Sequence, residues 1–355
     1  MKNYKNIKTF VSEKKVFCGM DVHYKHWSLC FVCDGEVVEK LRIQADYLAL
    51  KFVLVRYKAA REIQIVYEAG FSGFWLYRNL KHDGYSCIVT PPSLTPKTAG
   101  KVKTDKRDAQ KLAFYLSAGL LKSVYVPPEI VESDRRTLRR RVQVVKKRTI
   151  AKHQIRSYLN LLGLKRPESI KTNWSQQYIA WLKNIEFKND SDKFNFSQLI
   201  KDYLRLDEDV AEVTGYILKM SRSDKYQKNF KLLTCVKGVG LITGMTFLLE
   251  IYDFGRFKTG EHFASYLGLT PSQYSSGEHI RLGHITRQGN TYIRKVLVEA
   301  AWTVIRYDPH LRDKYNRIRS RGNNGKKAIV AVARSLAIRL RRGLLDGTGY
   351  VVGVC

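Results

Sequence analysis

The stretch from Val16 to Ile43, VFCGMDVHYKHWSLCFVCDGEVVEKLRI, decides the fold. Val16–Val22 is a short apolar strand. Trp27–Cys33 and Glu36–Ile43 are rich in strand formers and flank Asp34-Gly35, a hairpin signal because both turn positions accept positive φ. Working outward, Tyr47–Arg61 reads as a helix and Glu62–Glu68, EIQIVYE, as a strand. Gly73–Asp83 reads as a helix closed by Gly84, and Tyr85–Thr90 as a strand stopped by Pro91-Pro92. Lys106–Gly119 follows as a helix with Thr104 or Asp105 near its cap. This order predicts an α/β domain over 1–126, a mixed sheet with helices packed on it.

Downstream the character changes to helical. Ser133–Leu162 is strongly basic, and between 101 and 157 there are 16 Lys and Arg against 5 Asp and Glu. Leu199, Tyr203, Leu206, Val210, Val213 and Ile217 step by 4, 3, 4, 3, 4, the spacing of a coiled coil or helical hairpin. A helix packed on its own domain would carry a similar stripe. Gly163 and Pro167 break the first helix, and Lys188–Asp192 reads as a polar linker. These features set a basic helical region over 127–228 and a second compact, mostly helical region over 229–355. In the latter, Gly238-Val239-Gly240 sits between apolar helical stretches within Leu232–Leu249. That pattern fits a helix-hairpin-helix whose glycine turn offers N–H groups to a phosphate, and equally a plain tight helix turn. Helices are further expected from about Asn290 to Arg306 and from Lys326 to Arg342.

The formal charge of +31 over 355 residues calls for a polyanionic partner, either nucleic acid or an anionic membrane. There is no apolar run near membrane-spanning length, and Met1–Lys15 is polar rather than a signal peptide. The expectation is therefore a cytoplasmic protein that meets nucleic acid and not a membrane. The 21 tyrosines argue against a disordered basic tail. Six cysteines stand at 18, 30, 33, 87, 235 and 355. Cys30 and Cys33 lie in one strand, where positions three apart face opposite sides, so reduced buried thiols fit better than a zinc site.

Four acids stand out by position. Asp21 follows the first strand, Glu68 ends a later one, and Asp105 and Asp108 open the helix after Pro91-Pro92. Strand ends on one sheet edge and a nearby helix start can converge, and positions i and i+3 share a helix face. Clustered carboxylates repel one another unless cations bind, and hard oxygen donors select Mg²⁺ or Mn²⁺. Such ions serve phosphoryl transfer. Lys101, Lys103, Lys106 and Arg107, with Arg139 and Arg140 in the basic helix, would then follow a nucleic-acid backbone. Taken singly, each acid also reads as a cap or surface residue.

Gly268–Gly283, GLTPSQYSSGEHIRLG, places Ser275 and Ser276 before Gly277, beside His279, Arg281, His284 and Arg287. A serine there can attack phosphorus while arginines offset the phosphoryl charge. A turn built from Ser and Gly for backbone geometry accounts for the same residues.

The chain resembles the DEDD-type transposases of bacterial insertion sequences, the group that includes pilin-gene inverting recombinases and bridge-RNA-guided recombinases. The resemblance runs from about Val16 to Arg306 through GMDVHYKHW, VYEAGFSGFWLYRNL, KVKTDKRDAQKLA, KGVGLITGMTFLLEI, YLGLTPSQYSSGE and GHITRQGNTYIRKVLVEAA. It implies a RuvC-like N-terminal domain of the RNase H fold, a coiled-coil middle and a C-terminal transposase domain. The family's four acids fall on Asp21, Glu68, Asp105 and Asp108, and its nucleophilic serine falls within Ser275-Ser276-Gly277, Ser276 being favoured. It further implies a homo-oligomer, dimer or tetramer, whose subunits share the chemistry, and a structured guide RNA that pairs with DNA. The expected activity is metal-dependent cutting, exchange and rejoining of DNA strands. Two readings compete with it: a RuvC-like nuclease that only hydrolyses junctions, and an inactive nucleic-acid-binding scaffold.

Overall fold

The computed structural model describes residues 7–96, 105–276, 279–286 and 289–350. The chain divides into two compact units, 1–126 and 127–355. The basic helical region and the C-terminal region are both parts of the second.

The first unit runs α1 (Ile7–Val11), β1 (Lys15–Val22), β2 (His26–Cys33), β3 (Glu36–Gln44), α2 (Tyr47–Val55), β4 (Glu62–Glu68), α3 (Trp75–His82), β5 (Ser86–Thr90) and α4 (Asp105–Ser117). Its five strands form one sheet in the order β3-β2-β1-β4-β5. The first three strands are antiparallel neighbours, while β1, β4 and β5 run parallel. The Asp34-Gly35 turn forms as expected, with φ of 49° and 77° at its two residues.

Side chains alternate across the sheet. Val16, Cys18 and Met20 of β1 join Leu29, Phe31, Ile65, Tyr67 and Val89 beneath Leu50 and Leu54 of α2 and Leu76 and Leu80 of α3. On the other face, Phe17, Cys30, Val32, Val66 and Ile88 meet Ala109, Leu112, Ala113 and Leu116 of α4. Cys30 and Cys33 fall on opposite faces accordingly, and burial pushes the Cys30 thiol up to about 11. Helix α2 ends at Val55, earlier than Arg61, because the chain must turn to bury Tyr57. Its ring stacks on Phe31 at 4.1 Å and its hydroxyl donates to Glu39 at 2.9 Å.

The second unit begins with α5 (Glu129–Leu161), α6 (Gln176–Lys183) and α7 (Asp190–Ser221). Helices α5 and α7 pair antiparallel: Arg141 donates to Thr214 at 2.7 Å, Arg148 to Asp207 at 2.6 Å, and Tyr158 to Asp192 at 2.7 Å. Tyr203, Val210 and Ile217 are buried in α7, but Leu199, Leu206 and Val213 are only partly covered, and Ile200 and Phe196 are buried instead. A straight helix drifts against a 3.5-residue repeat, which moves the seam by one position. The expected linker at Lys188–Asp192 is a correction as well. Asp190 and Asp192 form the first turn of α7, where carboxylates favour the helix N-terminus.

The remaining elements are α8 (Asp224–Thr234), α9 (Leu241–Ile251), α10 (Gly260–Tyr266), β6 (Pro271–Ser276), β7 (His279–Ile285), α11 (Thr291–Val304), α12 (Pro309–Ser320) and α13 (Gly325–Asp346). Their core holds Met245, Leu249, Phe263, Leu297, Ala301, Val332 and Leu336, and it includes Val131, Leu138 and Ile217 from the base of the α5–α7 pair. Helix α12 was not expected from the sequence. Buried Asp308 accepts from Leu311 N at its start and from Arg339 of α13, both at 3.0 Å, tying the two helices together. Among the described residues no helix is long and apolar enough to cross a membrane.

Candidate functional site

The carboxylates are placed by the sheet and by one glycine. In the parallel register Met20 pairs with Tyr67, so the next residues along β1 and β4 are Asp21 and Glu68. Glu68 in turn pairs with Thr90 of β5. Asp21 lies two residues beyond Gly19, Glu68 two beyond Val66 and Thr90 two beyond Ile88. All three therefore belong to the face covered by α4.

Helix α4 approaches at Gly19. A Cβ there would stand 2.1 Å from the Ala109 carbonyl oxygen and 2.4 Å from the Ala113 nitrogen, so only glycine lets the helix backbone rest on the strand. Phe114 and Leu116, later in α4, share clusters with Phe17, which is nearer the start of β1. The helix therefore runs back along the strand, and its first turn, with Asp105 and Asp108, lies toward the strand end that carries Asp21.

Each described acid has its own surroundings. Asp21 is partly buried, with His23 Nε2 3.1 Å from its Oδ2. Glu68 is exposed, and Asp108 faces Lys111 at 3.7 Å. Among the described residues no three His, Cys, Asp or Glu side chains stand together as a metal site. The side chain of Asp105, the fourth acid, lies outside the described set. Two features escaped the sequence reading. His23, one residue past the end of β1, reaches back to the Asp21 carboxylate. Thr90 is fully buried, and its hydroxyl has no hydrogen-bond partner among the described residues.

The serine segment forms a β-hairpin, an element the sequence reading did not foresee. In it Ser275 pairs with Ile280 and Ser276 with His279, so Ser276 is the last strand residue before the turn. The side chains of Ser275, Ser276 and Arg281 lie outside the described set, as do residues 277–278 and Arg287.

Of the expected phosphate contacts, Arg107 and Arg140 are exposed. Lys101 and Lys103, and the side chain of Lys106, lie outside the described residues. Arg139 is half-exposed and already has partners within the protein. It donates to both oxygens of buried Glu250 at 2.9 and 2.8 Å and lies over the Tyr292 ring at 5.0 Å. Gly238 and Gly240 do join two helices, α8 and α9. Gly238 has φ of 104°, and a Cβ there would lie 3.0 Å from Thr303 Cβ and 3.1 Å from the Ala300 oxygen, so it is held by packing on α11. Gly240 is exposed and is the N-cap of α9, where it brings no side-chain acceptor to the first N–H groups.

Comparison with known proteins adds to this geometry. A transposase family profile of the DEDD type named for IS110 matches residues 18–163. The profile described as the IS116/IS110/IS902 transposase family matches residues 230–316. The chain is 30% identical over 332 residues to the y4qE protein of Sinorhizobium fredii, described as a transposase, covering 86% of this chain and 81% of that one. It is 26% identical over 343 residues to the transposase for insertion sequence element IS1533 of Leptospira borgpetersenii, covering 93% and 96%. It is 24% identical over 324 residues to the transposase for IS1111A of Coxiella burnetii, covering 89% and 85%. With the acids inside one matched region and the serine hairpin inside the other, the chain belongs to the IS110 family of DEDD transposases, enzymes that cut and rejoin DNA.

Proposed function

We propose that this transposase cuts, exchanges and rejoins DNA strands with two sets of residues, the acids of the first unit and a serine of the second. The observation that carries the reading is the contact at Gly19, which brings the first turn of α4 toward the strand end where Asp21 and Glu68 lie side by side.

Asp21, Glu68, Asp105 and Asp108 offer hard oxygen donors only, the donor type suited to Mg²⁺ or Mn²⁺. These four residues would hold the ion, which supplies positive charge beside the reacting phosphate. His23 lies beside Asp21 at 3.1 Å and Lys111 beside Asp108 at 3.7 Å. The strand order, three antiparallel strands followed by two parallel ones, supports the RuvC-like, RNase H reading of the first unit. The antiparallel α5–α7 pair supports the coiled-coil reading of the middle region.

Ser276 is the proposed nucleophile. Its Oγ loses a proton and bonds to a backbone phosphorus while a phosphorus–oxygen bond to the neighbouring nucleotide breaks, and the departing oxygen leaves as a hydroxyl. Attack by the hydroxyl of another strand restores a phosphodiester and frees the serine. A homo-oligomer supplies acids and serine from different subunits. A structured guide RNA selects the DNA, and the charge of +31 suits an RNA–DNA complex.

The test is capture of a covalent protein–DNA adduct. Ser276→Ala is expected to abolish adduct and strand exchange, Ser275→Ala to retain them, and Asp105→Asn to block both while the nucleic-acid complex still assembles. Normal exchange by Ser276→Ala removes Ser276 as nucleophile. Exchange by Asp105→Asn removes the acid assignment.

A further inference from the structure

Glu250 is a carboxylate near the end of α9, only 3% exposed, inside an otherwise apolar helix. It is held on several sides. Arg139 contributes the two hydrogen bonds given above, and Arg135 Nε lies 3.5 Å from Oε2 while that guanidinium donates to the Leu249 carbonyl. From the opposite direction, Asn290 Nδ2 donates to Glu250 Oε2 at 2.6 Å.

Asn290 has a second task. Its Oδ1 caps α11 by accepting from Tyr292 N at 2.9 Å and Ile293 N at 3.3 Å. It lies five residues past the end of β7. The residue before it, Gly289, has φ of 102°, and a Cβ there would lie 2.1 Å from the Tyr266 oxygen. The start of the hairpin is fixed nearby. Arg294 of α11 donates to the Leu267 carbonyl at 3.1 Å, and Thr286 N donates to Thr270 O at 3.0 Å across the hairpin base.

A buried ion pair adds little stability over well-packed apolar residues of similar volume, so stability alone does not account for a charge at this position. Such a group favours one arrangement, because moving a partner leaves a buried charge with fewer donors. Here the partners are the basic helix α5 and the root of the serine hairpin.

We propose that Glu250 is a positioning residue that fixes the root of the serine hairpin to α5 through Asn290, so that the orientation of the serine is set by the long basic helix. The inference rests on the serine reading for its functional consequence, and on geometry alone for the mechanical link. Glu250 is buried and paired with Arg139 and Asn290. It acts through Asn290.

Asn290→Ser separates the two tasks of that residue. The serine hydroxyl still accepts hydrogen bonds as an N-cap, but the amide donor to Glu250 is gone. In the full-length protein, adduct formation on a DNA substrate is expected to slow by about tenfold or more, since small displacements of a reacting group cost large factors in rate. The melting temperature should fall only slightly, since Arg139 still donates to both carboxylate oxygens, and the nucleic-acid affinity at fixed salt should stay at the wild-type value. Amide exchange at Thr286 should quicken, which reads the mechanical link without any chemistry. A reciprocal swap completes the test. Asn290→Asp opposes Glu250 with a like charge, and Glu250→Gln removes the charge facing two arginines. In the double variant the carboxylate on the α11 side can accept from the amide on the α9 side, with the net charge preserved. Both single variants should be slow and the pair should recover rate.

Wild-type adduct rate in Asn290→Ser overturns the proposal, as does a rate loss that follows a fall in melting temperature without recovery in the pair. If the wild-type protein forms no serine adduct, the serine reading fails. The amide exchange at Thr286 then decides the link by itself, and exchange unchanged in Asn290→Ser overturns it.

Discussion

Gly19 and Gly289 stand in the two regions proposed to carry the chemistry, and both allow backbone to touch backbone. At each, a Cβ would fall 2.1 Å from a carbonyl oxygen, of Ala109 in one case and of Tyr266 in the other. The settings differ. Gly19 is a strand residue in the middle of a five-stranded sheet, and what it admits is a whole helix lying across that sheet. Gly289 sits in a loop with φ of 102°, and what it admits is the turn after a short helix. The acids are thus positioned by the stacking of layers. The serine hairpin is positioned locally, by a loop position that requires glycine and the proposed polar anchor through Asn290 and Glu250. An error in the first region should spread through the unit, whereas an error in the second should stay near the hairpin.

The largest effect is expected from Gly19→Ala. The new methyl meets two backbone atoms in the interior of α4, so relief requires lifting the helix off β1, β2 and β4. The loss should reach about 3 kcal/mol, the upper end of the usual range for overpacked cores. Urea unfolding followed by amide exchange in β1 and β4 measures it. A loss below about 0.5 kcal/mol, the range of ordinary surface substitutions, would mean that α4 does not rest on the sheet at this point.

Gly289→Ala should cost less, about 1–3 kcal/mol, because the unfavourable φ adds strain but the new methyl displaces one carbonyl at a turn rather than a whole helix. Its signature is confinement. Amides at Thr286 and across β6–β7 should lose protection while those of α13 keep theirs. Equal loss of protection in α13 would erase the contrast between the two regions.

Much of this contrast could be read in the residues, and some could not. The hairpin at Asp34-Gly35 and the strand over Glu62–Glu68 follow from turn chemistry and strand propensity, which act over a few residues. The four acids were visible as residues at element ends. Gly19 also carried a signal, since a glycine inside a strand marks a close approach of backbone, yet its partner in α4 lies far along the chain and only the fold supplies it. Arg139 sits in a row of arginines that look alike in sequence; the fold turns that one toward Glu250. Glu250 itself reads as the polar end of an apolar helix until its burial is known. Helix α12 was missed because only Leu311 and Tyr315 of it are buried, too few to mark a period. The β6–β7 hairpin was missed because its strands are short and built largely from Ser, Gln, His and Gly.

The smallest effect tests the packing of layers in the first unit from its rim, at Asp83. Its carboxylate accepts from Tyr47 of α2 at 2.8 Å, pairs with Lys51 of α2 at 2.9 Å, and has His82 of α3 at 3.3 Å. It thereby ties the two helices that cover the face opposite α4. The hydrogen bond from Lys51, followed by those from Tyr47 and His82, lowers the Asp83 carboxyl from its ordinary value to about 2. A carboxyl lowered in the folded state stabilises the fold above its unfolded value, and that contribution disappears as pH falls through the folded one. The clamp should therefore act fully above about pH 5 and be lost between about pH 4 and pH 2. Asp83→Asn keeps the shape and removes the charge. Its melting temperature should lie slightly below that of the wild type at neutral pH, and the two curves should meet near about pH 2. If they stay parallel over that interval, Asp83 does not join α2 to α3, and the layer that faces α4 across the sheet is held by its apolar contacts alone.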